Sequence, residues 1–550
     1  MPYVRTDSAR KLHPALPQLR DEARKGAIAR REFLRMAALL GVALPSARAL
    51  IGEAAADEAP AAATSARAEA APRQGGVLRF ASEVREIGDP ALAPSIEASD
   101  MLRNALERLV ELDADNVARP RLAESWQPNE DLTQWRFKLR AGVKWSNGEA
   151  FTAEDVEANI ARWTPPKSPS AMRIGIGRFA GFEKHGPLEF TLHLASPMLG
   201  VPEALSLSSA AILHRRFDEE GGDWSKNPIG TGPFALAAYE EGRRCGFRRR
   251  DDYWGGRVHL DGVDYLNVGT KDQAQIAALA RGDVDTVNRV GVSDLDALSQ
   301  LPSVELLRAR AANTFCMRMK PAERPFDDLR VRKAIVLAAD SQRMLDGAVS
   351  GNGLLAENHH VAPFHPEYAE LPRLRRNVGH AKALLVQAEY GSGVDIELTL
   401  GNTQGDFERT AAALLQKSLA EAGIRLRLNV VPRAKFWATW MKVPFGMTYW
   451  AHRPLGVTAL DLAYRSSAPW NETGFSDPEF DKALDQAMAI ADPRRRAVPI
   501  ATCEKILQDA CVMVQPFWLD EMTAAAKRIR GLRAHPTDYY DLREVWISGD

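Results

Sequence analysis

The chain has 550 residues, 45% of them hydrophobic and 26% charged, with a formal net charge of −1 and four cysteines. That length exceeds one domain, the composition is that of a folded globular protein, and the balanced charge excludes a broad basic field for gathering nucleic acid. Four cysteines over such a length exclude a disulfide scaffold.

The first feature along the chain is "ARREFLRMAALLGVAL", Ala29 to Leu44. Its apolar run, Met36 to Leu44, is nine residues, whereas a membrane-spanning helix needs about 20. A basic stretch, a short apolar run and small residues downstream make an export signal. "PSARA" (Pro45–Ala49) and "TSARA" (Thr64–Ala68) are candidate cleavage sites. Arg30-Arg31-Glu32-Phe33-Leu34-Arg35 resembles the twin-arginine motif, with Ala29 where that motif prefers Ser or Thr. The competing reading is an amphipathic helix with Leu34, Leu39 and Leu40 on one face. Ala54 to Pro72 lacks any large apolar residue to anchor a core. Residues 1–72 are therefore expected to be an export signal and a disordered linker, with the mature protein starting between Leu50 and Arg73 and working in the periplasm.

"GGVLRFASE" (Gly75–Glu83) reads as the first strand. Trp135, Phe137 and Leu139 alternate with Arg136, Lys138 and Arg140, the pattern of a half-buried strand. Asn147-Gly148 marks a turn. Thr152 follows as a helix N-cap, with Asp155 at N3 and a Phe151–Val156 staple. Asn227 to Gly256 reads as a Gly/Pro-punctuated loop and a hairpin. "DQAQIAALARGDVDTV" is a helix ending near Gly282, then a short strand, and "DDLRVRKAIVLAAD" is another helix. Ile396, Leu398 and Leu400 alternate, Thr410 to Ala422 is helical with Gly423 at C′, and Ile424, Leu426, Leu428 and Val430 alternate again. Strand–helix–strand of this kind implies a parallel pair. "FSDPEFDKALDQAMAIA" opens a helix with Ser476 as N-cap, Glu479 at N3 and a Phe475–Phe480 staple. Hairpins early and a βαβ unit late imply at least two α/β lobes, and no fixed-period repeat is present.

The motifs of an enzyme are missing: there is no G-x-S-x-G elbow, no phosphate-binding G-x-x-x-x-G-K-[ST] and no H-E-x-x-H. His359, His360 and His365, with Glu357 nearby, are imidazole candidates for a metal, but they lack a Cys/His framework, and no metal or other cofactor is expected. Cys503 and Cys511 stand eight apart in an expected helix, about 12 Å of rise and too far to bridge. Cys245 and Cys316 have the option of pairing in an oxidising compartment; buried free thiols are the expected state.

Five blocks taken together, "PRLAESWQPNEDLTQWRFKLRAGVKWSNGEAFTAEDV", "NPIGTGPFALAAYEEG", "RRDDYWGG", "FDDLRVRKAI" and "FSDPEFDKAL", resemble the extracytoplasmic solute-binding proteins of the dipeptide/oligopeptide/nickel class, family 5. The resemblance runs from about Gly75 to about Arg543. It implies an α/β, two-lobed periplasmic-binding-protein fold (type II, large peptide-binding class) with mixed sheets and a hinge. Lobe I would be 73–310, with an extra subdomain at about 111–226, lobe II 311–517, and 518–550 a return to lobe I. It implies a monomer that captures a peptide or peptide-like solute in the interlobe cleft and hands it to the transmembrane subunits of an ATP-driven (ABC) importer; nickel or a metallophore is the alternative cargo.

In peptide-binding relatives the loop matching Phe445–Phe475 lines the cleft and carries, three residues after a tryptophan, an aspartate that holds the peptide ammonium. Here Trp450 is followed by Ala451, His452 and Arg453, a reversal of charge. An arginine fork pairs with carboxylate or phosphate and repels ammonium. Arg453 is thus expected to fix an acidic group of an opine-like or N-modified amino-acid ligand, between walls made by Trp450 and Trp470. Further candidates are His452 and Asn471 in the same segment, Glu83 and Arg85 after the first strand, Asn313 and Phe315 near the lobe crossover, and Asn402 at a strand's carboxyl end, where ligand crevices lie.

Overall fold

The computed structural model describes residues 12–52, 71–92, 95–269 and 272–549. Most of the expected linker, 53–70, lies outside the described residues.

Runs with alternating burial assemble one long mixed sheet. Its main strands are β1 (Val77–Ala81), β2 (Phe234–Glu240), β3 (Arg244–Arg249), β4 (Gly262–Leu266), β5 (Thr286–Val287), β6 (Val304–Met319), β7 (Val394–Leu400), β8 (Ile424–Val430), β9 (Phe445–Trp450) and β10 (Phe517–Ala526). The spatial order is β8-β7-β9-β6-β10-β5-β1-β4-β3-β2. At one end β1 is parallel to β4 and β5; at the other β7 is parallel to β8 and β9. Each end has its own apolar core, one around Phe80, Phe247 and Tyr265 and one around Phe315, Leu398 and Leu415. This is the two-lobed α/β architecture implied by the sequence. The antiparallel pair β6–β10 runs between the ends, and its register breaks midway: Ala309 faces Glu521, but Asn313 faces Leu519. β6 therefore carries two extra residues there, an irregularity that re-aims side chains and frees backbone groups from the ladder.

Trp135, Phe137 and Leu139 alternate inward as expected, in a four-stranded sheet with Ala123–Pro128, Glu189–Leu194 and Phe179–Gly186. Phe137 stacks on Phe190 at 5.2 Å between centroids. The helix Ala153–Trp163 opens on the expected capping box: the Thr152 hydroxyl accepts from the Glu154 N–H, and the Thr152 N–H donates to Asp155 Oδ2 at 2.9 Å. In "NPIGTGPF" the chain passes so close to Ala105 that a Cβ on Gly230 would lie 2.2 Å from that carbonyl oxygen. The βαβ unit forms as expected, its helix starting earlier, at Asp406, and ending at Ala420. The four cysteines are free and buried. One cap differs. The helix Pro478–Met488 is capped by Asp477, not Ser476: Asp477 Oδ1 accepts from the N–H groups of Glu479 (2.8 Å) and Phe480 (2.9 Å). Pro478, with its fixed φ and missing N–H, suits the first helical position and shifts the cap to the residue before it.

The N-terminal stretch does not stand apart from the body. Residues 12–52 form α1 (Ala15–Arg24), α2 (Arg30–Leu39) and α3 (Leu44–Leu50). Phe33, Met36, Leu39 and Leu40 are buried in one cluster with Trp126 and Trp135 of the four-stranded sheet and with Leu455, Val457 and Ile500 of the second lobe. Trp126 Nε1 donates to the Leu39 carbonyl at 2.9 Å, and Arg35 Nη2 donates to that of Pro454 at 3.2 Å. Gly41, at φ 83°, abuts Trp126 so closely that a Cβ would fall 2.0 Å from its carbonyl oxygen. Arg30 and Arg31 remain exposed. An apolar run too short to cross a bilayer is here satisfied by an apolar trough, along the face that the amphipathic reading singled out. Among the described residues no helix is long and apolar enough to span a membrane.

The cap assignment is testable by urea unfolding. Asp477→Ala should destabilise the protein by about 1 kcal/mol, while Ser476→Ala should stay within about 0.5 kcal/mol of wild type.

Candidate functional site

The site is built where β9 ends. After Trp450 the chain runs through Ala451, His452, Arg453 and Pro454 into the helix Gly456–Ala463. His452 is buried and bonded on both sides of its ring. Its Nδ1 accepts from the N–H of Ala312, a residue of the β6 irregularity. Its own N–H donates to Asn313 Oδ1, both at 2.8 Å. With Nδ1 an acceptor, Nε2 carries the proton and donates to Asn116 Oδ1 at 2.9 Å. Asn116 sits at φ 61° in a turn of the N-terminal lobe. Burial, followed by the charge of neighbouring groups, holds the His452 pKa well below its ordinary value, so the ring is neutral.

This pinning fixes Arg453. Its carbonyl accepts from His365 Nε2 at 2.9 Å. Its guanidinium donates from Nη1 to the His452 carbonyl at 2.9 Å, and its Nε has no hydrogen-bond partner. No carboxylate lies within 4 Å of it among the described residues. Burial lowers its pKa, and the charge of Glu203 acts against this. Yet Glu203 is itself pushed up to about 8, by burial first and then by Glu367, so it holds its proton at neutral pH.

Arg453 faces a cavity of about 890 Å³ lined from both lobes, with Arg108, Tyr449, His452, Trp470 and Tyr539 among its walls. Part of the rim is an ion-pair cluster across the lobes. Arg178 Nη2 lies 3.2 Å from Asp461 Oδ1, and Arg465 reaches Asp461 at 2.5 Å and Asp485 at 2.8 Å. A smaller cavity of about 280 Å³ shares Asn313 and Tyr449 with it, by way of Arg289, Arg310 and Glu521.

Of the residues singled out in the sequence, the cavity brings together His452, Arg453, Trp470 and Asn313. The others lie elsewhere, a correction to the expected site. Trp450 is buried behind the wall, its Nε1 donating to Glu472 Oε1 at 2.9 Å and its ring meeting Trp470 edge-on at 6.2 Å. Asn471 ties its own loop, donating to the carbonyls of Arg465 (3.1 Å) and Phe475 (2.6 Å). Phe315 is core, 5.1 Å from Phe517 between ring centroids. Asn402 donates to Asp406 Oδ1 at 3.3 Å. Glu83 and Arg85 pair with each other beyond the end of β1. Trp450, Asn471, Glu83 and Arg85 each have a local partner for their polar groups.

His359 bonds Glu357 (3.1 Å), and His360 bonds the Tyr464 hydroxyl (2.9 Å). His365 holds Arg453 as above. Among the described residues no group of three or more His, Cys, Asp or Glu side chains converges on a metal position. Arg108 and Tyr539 were missed in the sequence. They meet only because the C-terminal stretch returns to the N-terminal lobe, and nothing local in "LERLVEL" or "TDYYD" announces it.

Residues 118–470 match the family model described as bacterial extracellular solute-binding proteins, family 5 Middle. The chain belongs to that family. Its members are transport proteins, not enzymes. The periplasmic oligopeptide-binding protein OppA of Haemophilus influenzae is 25% identical over 500 residues, covering 84% of this chain and 91% of that one. The nickel-binding periplasmic protein of Escherichia coli is 26% identical over 459 residues, 78% and 86% of the two chains. Among solved structures, the binding protein AgaA of A. tumefaciens R10, in complex with agropinic acid, superposes with a TM-score of 0.76 at 23% identity, covering 86% of this chain and 99% of that one. As a family 5 protein, the chain is the solute-binding component of an ABC importer for peptides or related ligands.

Glu203 supplies a test of the site's electrostatics. Unfolded, it loses its proton near 4.5; folded, near 8. Between those values the folded state holds one more proton, so stability falls as pH rises through that window and levels off above it. Glu203→Gln removes this slope. Its stability advantage over wild type in urea should grow from about pH 5 to about pH 8, by at most about 1.4 kcal/mol per pH unit, and stay constant beyond.

Proposed function

We propose that the protein works in the periplasm, reached by the twin-arginine route, and captures an acidic, peptide-like solute such as an opine or N-modified amino acid for its permease. The observation that carries this reading is Arg453. It is a guanidinium with no carboxylate within 4 Å among the described residues, on a loop pinned at both ends, facing a cavity between the lobes. A half-buried cation whose acidic neighbour is protonated attracts a ligand's anionic group and disfavours its ammonium. AgaA, whose fold this chain shares, holds agropinic acid, an acidic solute by its name. Closure of the lobes around the solute buries most of its surface. Nickel as cargo gains no support from His359, His360 and His365, whose rings are each occupied by internal hydrogen bonds.

Calorimetric titration with agropinic acid and with the free dipeptide Ala-Leu tests the reading. The acid should bind at least 10-fold more tightly. Arg453→Ala should weaken it by at least 10-fold, or about 1.4 kcal/mol, with unchanged unfolding. Small-angle scattering should show compaction on binding. Wild-type affinity in Arg453→Ala, or a preference for Ala-Leu, would overturn it.

A further inference from the structure

Six arginines line the larger cavity: Arg103, Arg108, Arg173, Arg178, Arg453 and Arg465. Three have an acidic side chain within 4 Å, and Arg173 has a backbone acceptor for its Nε. Arg178 and Arg465 share Asp461 and Asp485. Arg103 Nη1 donates to the Asp538 carbonyl at 2.5 Å and lies 3.3 Å from Asp100 Oδ1, a carboxyl that burial pushes up to about 8. Arg173, half-buried, donates to the Ser168 carbonyl at 3.1 Å. Arg108 and Arg453 alone among these six combine two features: no carboxylate within 4 Å among the described residues, and an Nε that is buried without a hydrogen-bond partner.

Arg108 is the more deeply buried, at 4% exposure. Its guanidinium carbon lies 4.6 Å over the Tyr539 ring, with Arg103 also against that ring at 4.9 Å. The ring quadrupole attracts the cation but leaves its net charge in place. The Tyr539 hydroxyl is committed to Glu111 Oε1 at 2.6 Å, and Glu111 is shared with Arg121 (3.2 Å) and Arg543 (2.9 Å). Desolvation lowers the pKa of both Arg108 and Arg453, so each is more strained as a cation here than in water. Charges withdrawn from water without a close counter-ion are costly unless a partner arrives. The two come from opposite lobes, Arg108 from just before the strand Val110–Leu112 and Arg453 from the loop after β9. The walls of the same cavity also include Trp470 and Leu112.

We propose that the solute carries two acidic groups, one received by Arg453 and the other by Arg108, with an apolar middle along Trp470. This rests on the acidic-ligand reading above and adds a second anchor to it. A diacid of this kind bridges the lobes, so the closed arrangement gains from both contacts and a monoacid gains from one. Arg108 then acts as the residue that selects diacids over monoacids.

The probes are N-succinyl-L-leucine, its two monoamides and its diamide, titrated calorimetrically into the full chain. The diacid should bind at least 10-fold more tightly than either monoamide, and the diamide weakest. In Arg108→Gln the diacid should lose at least 10-fold while one monoamide is unaffected. In Arg453→Gln the pattern should reverse to the other monoamide. Arg108→Lys, which keeps the charge, should recover part of the loss, and unfolding midpoints establish that each variant is folded. A diacid that binds no better than a monoamide overturns the second anchor but leaves the acidic-ligand reading standing. Failure of all three acidic probes to bind, or a diamide that binds as well as the diacid, overturns both. Equal losses on every probe in Arg108→Gln would mark Arg108 as a support of the fold and overturn the proposal.

Discussion

The cleft depends on a neutral imidazole at the point where the two lobes meet. The extra residues in β6 free the Ala312 N–H from the ladder, and His452 Nδ1 takes it. The same ring then donates to Asn116 on the other lobe. One tautomer of one side chain thus joins the strand that passes between the lobes, the loop that carries Arg453 and a turn across the cavity. A protonated ring would lose the Ala312 bond, because Nδ1 would become a donor facing a donor. Burial opposes that protonation, and the geometry needs the neutral form.

Around this point the charges sort into two kinds. Most cavity-wall ions are matched within the protein, as in the Arg178–Asp461–Arg465–Asp485 cluster, which spans the lobes and favours their approach. Among the described residues Arg108 and Arg453 have no carboxylate within 4 Å, and the nearby acid that would neutralise Arg453 is kept protonated by burial. An interior generally avoids this arrangement, since removing one partner of a buried pair leaves a costly charge.

Much of the fold was legible in the sequence because it rests on local signals. The alternation at Trp135, Phe137 and Leu139, the Thr152–Asp155 box and the βαβ unit around Leu398 and Leu426 are properties of short stretches, and the structure carries them almost unchanged. The Ser476 cap failed by one residue, where Pro478 and an aspartate gave a stronger local solution. The site was half legible. Arg453 and His452 stand out as a charge reversal within one segment, and Trp470 follows in it. Glu83, Arg85, Phe315, Asn402 and Asn471 were chosen by proximity to strand ends or neighbours, yet each finds its partner nearby. Arg108 and Tyr539 are more than four hundred residues apart in sequence, and only the return of the chain end brings them together.

The docked N-terminal helices have one more consequence. α2 lies in a furrow shared by Trp126 of one lobe and Leu455 of the other, and its Arg35 grips the carbonyl of Pro454, next door to Arg453. A chain trimmed after residue 52 would bare that greasy seam and leave the Trp126 indole without its acceptor. The long and short forms would differ in stickiness and in how freely their jaws part, although every group in the binding chamber is the same.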